Sequence, residues 1–210
     1  MFSRTLTTAL ILAIGAAAAH ADLLGYWNFN AQDFTKNGGA ASANASLTTT
    51  VTNISWFGGD VQNALNGDGA GVAFCPVGNA QNGLSMTIQL TGTGVAFSDL
   101  AVSYTTRGTS TGFSNNSWAY STNGTTFTNL AGSTYDQRDT VFVVRSFDFT
   151  PLANAQNVWL RLTFDGASGA SGNNRIDNLQ VNGTVNPVPE PVSCAVLGIG
   201  LAALIRRKRN

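Results

Sequence analysis

Few side chains in this sequence are suited to covalent chemistry, and their types narrow the options quickly. The single histidine, His20, stands in an N-terminal stretch that reads as a cleaved leader. The rest of the chain therefore has no imidazole to act as general base, metal ligand or triad member. With only Cys75 and Cys194 as thiols and no histidine pair, neither a zinc nor a copper site can be assembled. A glycosidase needs two carboxyl groups about 5 to 10 Å apart. Only aspartates are on offer: Asp148 and Asp165 at expected strand ends, and Asp177 inside an expected last strand. Turn and strand-end hydrogen bonding accounts for each of them equally well.

Calcium asks for less, since Asp and Asn oxygens, backbone carbonyls and water suffice. Asn66-Gly67-Asp68-Gly69 has the right composition but lacks the twelve-residue frame and closing Glu of an EF-hand, and Asn173-Asn174 with Asp177 adjoins a glycine-rich segment. Asp68, Asn174 and Asp177 are therefore the candidate calcium ligands, with plain turn chemistry as the alternative. Sugar sites on β-sheets use an aromatic face ringed by amides or carboxylates. Trp56, Trp118 and Trp159 are candidates, and Trp56-Phe57-Gly58-Gly59-Asp60, expected in a loop, is the most suggestive stretch. Trp56, Asp60 and Trp118 make the candidate ligand site, while Trp27 and Trp159 are equally suited to filling a core or shielding a sheet edge.

The elements that must position these residues are strands. Short runs of β-branched and aromatic residues recur between Gly, Asn and Asp, and no run of ten or more carries a 3.6-residue period. Strands are predicted near 23–29, 47–54, 72–75, 84–90, 100–105, 117–121, 126–130, 140–149, 158–164 and 175–185. Three show clean alternation: Met86, Ile88 and Leu90; Val141, Val143, Phe147 and Phe149; Val158, Leu160, Leu162 and Phe164. Trp159, Arg161 and Thr163, or Ser146 and Asp148, occupy opposite faces, as in half-solvated antiparallel sheets. Arg145 falls on an apolar face, at the sheet margin or paired with an aspartate; the margin is the favoured reading. Asn123-Gly124 predicts a type I′ hairpin turn. Gly166 to Asn174 reads as one flexible loop, and no internal repeat or second domain is visible.

The stretch Tyr120-Ser121-Thr122-Asn123-Gly124-Thr125-Thr126-Phe127 resembles a hairpin found in secreted jelly-roll domains of the galactose-binding and laminin-G kinds. Gly25-Tyr26-Trp27-Asn28-Phe29 and Arg175-Ile176-Asp177-Asn178-Leu179-Gln180-Val181 look like their first and last strands. The resemblance implies an all-β antiparallel sandwich, often with one structural calcium.

Both ends carry addresses. Arg4, an apolar run from Thr5 to Ala18, and Ala19-His20-Ala21 before Asp22 form a secretory signal. At the other end Val188-Pro189-Glu190-Pro191 precedes an apolar run from Val192 to Ile205 and then Arg206-Arg207-Lys208-Arg209. Cations after an apolar run stop transfer and stay in the cytoplasm. Fourteen residues at about 1.5 Å rise cover roughly 21 Å, short of a roughly 30 Å hydrocarbon core, so the anchor is marginal. These three parts, in this order, resemble the tail of bacterial exported proteins of the PEP-CTERM class. The resemblance implies recognition and removal by an integral-membrane exosortase, with the membrane as partner only until processing, and a role in envelope or exopolysaccharide matrix. An ordinary C-terminal anchor is the alternative.

The expected organisation is thus a signal at 1–21, one exported β-sandwich domain at 22–187 and a sorting segment at 188–210. Between the two signals stand six cations (Lys36, Arg107, Arg138, Arg145, Arg161 and Arg175) against ten aspartates, a balance of −4, so the neutral whole chain owes its balance to its basic tail. A nucleic-acid partner is excluded, for want of a basic patch to neutralise phosphates. Cys75, alone in that span, is expected as a buried small apolar residue with no disulfide. The reading is an exported, non-enzymatic protein associated with carbohydrate; the alternative is an Asp-dependent polysaccharide-acting enzyme.

Overall fold

The protein is described here by a computed structural model covering residues 21–65 and 67–188. His20, Asn66, Cys194, the leader and the tail residues Pro189, Glu190, Pro191, Arg206, Arg207, Lys208 and Arg209 lie outside the described residues, so the expectations placed on them have no structural counterpart. Among the described residues no helix is long and apolar enough to cross a membrane.

Among the described residues eleven strands form two antiparallel sheets, as the alternation predicts. They are β1 (Asp22–Trp27), β2 (Ala43–Thr49), β3 (Ile54–Gly58), β4 (Val72–Pro76), β5 (Leu84–Gly92), β6 (Val95–Gly108), β7 (Ser117–Ser121), β8 (Thr128–Asn129), β9 (Val143–Asp148), β10 (Asn157–Phe164) and β11 (Asn174–Pro187). One sheet runs β3-β4-β11-β6-β9, with β1 also paired to β11; the other runs β2-β5-β10-β7-β8. The faces of Met86, Ile88 and Leu90 and of Val158, Leu160, Leu162 and Phe164 are fully buried and meet Leu24, Trp27, Phe74, Val102, Tyr104, Ile176 and Val181 in one core. Apolar alternation on both inner faces, with polar residues outside, is what closes the sandwich.

Four expectations need correction. The run 47–54 is two strands in different sheets. Between them the buried Gln81 accepts hydrogen bonds on Oε1 from the Thr52 and Asn53 N–H groups, at 2.8 and 3.2 Å. That bracket turns the chain from one sheet to the other. Val141 is 69% exposed because β9 begins two residues later. Asn123-Gly124 makes no type I′ turn: only Gly124 has positive φ (73°), and a six-residue connection 122–127 is held by Ser121 and Asn123 side chains instead. The segment 166–174 is stitched at several points, through Ser168 N–H to Thr111 O (3.1 Å) and Gly78 N–H to Gly172 O (2.7 Å) among others. Arg145 does lie at a margin, on edge strand β9, bonded to Gln137 Oε1 at 3.0 Å and set over the Tyr135 ring.

Candidate functional site

Strand β11 has β6 on one flank for most of its length, but on the other flank it changes partner. β4 pairs at Ile176 and β1 pairs from Leu179 to Gly183. Where the partners change, β11 bulges between Asp177 and Gln180, and Asn178 takes φ +49°. The β3–β4 connection folds over this defect and supplies its missing bonds. Asn178 Nδ2 donates to the carbonyls of Asp60 and Gln62 (2.7 and 2.9 Å), Asn63 Nδ2 donates to Asn178 O (2.7 Å), and Gln180 Nε2 donates to Asn63 O (2.6 Å). Asp177 ends up 1% exposed beneath that roof, its carboxylate accepting the N–H groups of Asp60 (2.9 Å) and Asn178 (2.8 Å). Burial raises its pKa to about 7 against those two donors, and the nearby Asp60 and Asp68 charges add to the rise. Tyr26 is bound into the same group, donating to Asn178 Oδ1 at 2.9 Å, and its own pKa is raised chiefly by burial.

Asp60, Asp68 and Asp177 therefore gather in one region, as neither sequence stretch alone foretells. Asn174 does not join them. It is buried among Gly108, Gly112 and Phe113, accepting the Phe113 N–H at 3.1 Å and donating back to Phe113 O at 3.1 Å, so its role is to close a loop. A calcium site would need several oxygens converging on one point. Asp177 already has both oxygens engaged by N–H donors, Asp68 Oδ2 takes Asn28 Nδ2 at 3.2 Å, and among the described residues no three acidic, histidine or cysteine side chains group as a metal requires. The residues fit a hydrogen-bonded carboxyl better than a calcium cage.

The tryptophans sort differently from the sequence reading. Trp56 is not in a loop but in β3, packed with Phe34, Phe74 and Phe29 at ring distances of 5.9, 6.1 and 6.4 Å. Trp118 is 0% exposed and donates Nε1–H to Tyr104 Oη at 3.2 Å. Asp60 is held by its own turn, accepting the Gln62 N–H at 2.7 Å. No ligand site is formed by Trp56, Asp60 and Trp118. Cys75 is buried, with its thiol pushed up to about 12 by burial, which makes it inert.

Trp159, like Trp56, stays partly exposed, but Trp56 packs against the core whereas Trp159 lies on the outward face of the five-stranded sheet. Opposite it in register lie Gln89 on β5 and Ser121 on β7; one pair further along, Arg161 lies between Thr87 and Ala119. The 122–127 connection leans on this face: Gly124 rests on the Trp159 indole, and Phe127 stacks under the Arg161 guanidinium at 3.8 Å. Arg161 has no acidic partner among the described residues, and its Nε is buried without a hydrogen bond. Beyond Trp159 the strip continues into a surface hollow of about 540 Å³ lined by Thr122, Ala153, Asn154, Ala155, Gln156, Asn157 and Val188. Toward the sheet edge Asn44, Ser46 and Thr48 of β2 line up beside Thr91, Gln89 and Thr87. The result is a neutral hydroxyl and amide surface around one indole and one stacked guanidinium. The outward alternation of Trp159, Arg161 and Thr163 was the sequence signal for it; the convergence of Phe127 and the amide hollow had none.

The chain matches no protein-family model and no curated protein. Among solved structures it is similar to TmCBM61 in complex with β-1,4-galactotriose, at 9% identity over 73% of this chain and 92% of that one, with a TM-score of 0.46. It is also similar to the CBM22-1 xylan-binding domain from Paenibacillus barcinonensis Xyn10C, at 11% identity over 80% and 98% of the two chains, TM-score 0.46. The K2 cleaved adhesin domain of Lys-gingipain matches at 10% identity over 65% and 88%, TM-score 0.40. These likenesses concern architecture, and no ligand follows from them.

Proposed function

We propose that this chain is an exported, non-catalytic protein of the cell envelope or extracellular matrix that binds polysaccharide on the outward face of its five-stranded sheet. The observation that carries this reading is the strip Asn157, Trp159 and Arg161 on β10, flanked by Gln89 and a row of Ser and Thr. An indole offers a flat apolar face to sugar C–H groups, while amides, hydroxyls and a guanidinium match sugar hydroxyls without demanding a charge. A carboxyl protonated near neutrality would suit a general acid, but Asp177 is 1% exposed and roofed by the β3–β4 connection, so it reaches no substrate. The leader and the PEP-CTERM-like tail support export, transient anchoring and exosortase processing.

The test is a glycan array of neutral and acidic bacterial exopolysaccharides, probed with the full chain in the presence of calcium and of a chelator. Saturable binding that Trp159→Ala abolishes, without a change in thermal unfolding, supports the reading. Silence of the intact chain on every glycan under both conditions overturns it in favour of a purely structural matrix role.

A further inference from the structure

A second surface lies on the opposite sheet, and its charge is out of place. Arg107 on β6 and Arg175 on β11 are direct cross-strand partners, two like charges side by side on the outer face of the six-stranded sheet. Such a pairing destabilises a sheet unless something neutralises it. Nothing among the described residues does: the single ion pair there is Arg138 with Asp136. Two nearby carboxylates are already committed: Asp177, two residues along β11, accepts the Asp60 and Asn178 N–H groups, and Asp60 accepts the Gln62 N–H; Asp139 meets the Gly108 N–H only through its backbone carbonyl, and its carboxylate pairs with neither arginine. None of these carboxylates lies within ion-pair distance of either guanidinium.

Both arginines are nonetheless held in place. Arg175 stacks on Phe57 at 5.1 Å and donates Nη1–H to Gly58 O at 2.9 Å; Arg107 sits 5.6 Å from the Phe142 ring centroid. Gln62 Nε2 reaches the Phe142 carbonyl at 3.4 Å and ties the two ends of the row together. The order across the sheet is therefore aromatic, cation, cation, aromatic. Phe57 is 39% exposed and Val144 is 46% exposed at its borders. Arg175 Nε is buried with no hydrogen-bond partner, and burial together with the Arg107 charge lowers the Arg175 pKa. Two fixed guanidiniums with no ion-pair partner among the described residues form a local positive spot in an acidic span, 22–187, whose balance is −4 by six cations against ten aspartates.

We infer that Arg107 and Arg175 form a site for an oxyanion, the carboxylate or sulfate group of an acidic polysaccharide, on the sheet opposite the Trp159 face. Guanidinium forks match planar or tetrahedral oxyanions with paired N–H donors. The flanking rings suit a sugar backbone that carries the acid group, whereas a nucleic acid or an acidic membrane would need a far larger basic area than two residues. The choice of a polysaccharide as carrier rests on the proposed function; the anion site itself does not.

The experiment measures binding of the full chain to polygalacturonate, dextran sulfate and uncharged dextran, at low and at high salt. Polygalacturonate or dextran sulfate should bind at low salt, lose affinity at high salt, and leave uncharged dextran behind. The two acidic polymers separate a carboxylate from a sulfate as the natural group. Arg107→Gln and Arg175→Gln should each weaken acidic-polymer binding by about tenfold or more, while Arg161→Gln and Trp159→Ala leave it intact. Arg107→Gln should also unfold at the same or a higher temperature, because it removes the repulsion; this keeps the test decisive even if Arg175→Gln, which loses the Gly58 bond, fails to fold. Equal binding of charged and uncharged polymers, loss of binding on Arg161→Gln alone, or a lower melting temperature for Arg107→Gln would each overturn the inference. Failure of the Trp159 reading would show instead as unchanged neutral-glycan binding in Trp159→Ala, and leaves this result standing.

Discussion

Asp177 makes the stability of this protein run against the usual direction with pH. In the unfolded chain its carboxyl loses its proton near the ordinary value, about 3.9, whereas in the fold burial raises its pKa to about 7. Between those values the native state holds one proton more than the unfolded state, so stability must fall as pH rises. The contribution is fully present below the unfolded value and is lost as pH passes through the folded one. Three units at 1.36 kcal/mol each bound the whole effect at roughly 4 kcal/mol, of which about 2.5 kcal/mol falls between pH 5 and 8. Urea unfolding from pH 5 to 8, in a chelator so that no cation masks the carboxyl, gives the free energies directly. The slope should be negative, and Asp177→Asn should flatten it while costing about 1 kcal/mol at pH 5 for one lost N–H acceptor. A flat or rising profile in the unaltered chain would refute the account of Asp177 as a desolvated carboxyl.

The remaining expectations concern the tryptophans and the tail. Trp118→Ala should cost about 3 to 5 kcal/mol by urea denaturation, because it empties a fully buried site; a loss under 1 kcal/mol would contradict its place in the core. Gly124→Val should destabilise the fold, since φ is +73° there and the Trp159 ring occupies the space a side chain needs, and the fall in melting temperature should vanish in the Trp159→Ala background only in part. In a host with an exosortase, intact-mass analysis of the mature envelope form should find neither Cys194 nor the Arg206 to Arg209 cluster; finding them would leave a plain membrane anchor.

Alternation made the sandwich legible. Val158, Leu160, Leu162 and Phe164 read as one buried face and are one, and the same parity placed Trp159 and Arg161 outside. Applied with equal strictness, it also tells against Trp118 and Trp56. Trp118 shares its face with Tyr120, between Ser117, Ala119 and Ser121, and Trp56 shares its face with Ile54. The glycines after Trp56 suggest a loop there, whereas the pattern suggests a strand, and the residue stands in β3. The break at residues 50–53 was hidden because its cause, the Gln81 bracket, comes from a segment near residue 80. The gathering of Asp60, Asp68 and Asp177 was hidden for a related reason: it depends on β11 exchanging one edge partner for another, which no local spacing encodes.

The cations show how the two outer faces acquire different chemistry from one rule. Arg138 is neutralised by Asp136, Arg145 is tied to Gln137, and Lys36 reaches the Ala43 carbonyl at 3.2 Å. The other three, Arg107, Arg161 and Arg175, each lie over a phenylalanine on an outward sheet face and meet no acid among the described residues. A ring fixes a guanidinium without cancelling its charge, so these three remain able to meet an outside partner while the aspartates keep the span acidic as a whole. Arg161 stands alone among hydroxyls and amides, which suits an uncharged sugar chain. Arg107 and Arg175 stand in register with each other, and that doubling turns the same device into a demand for an anion.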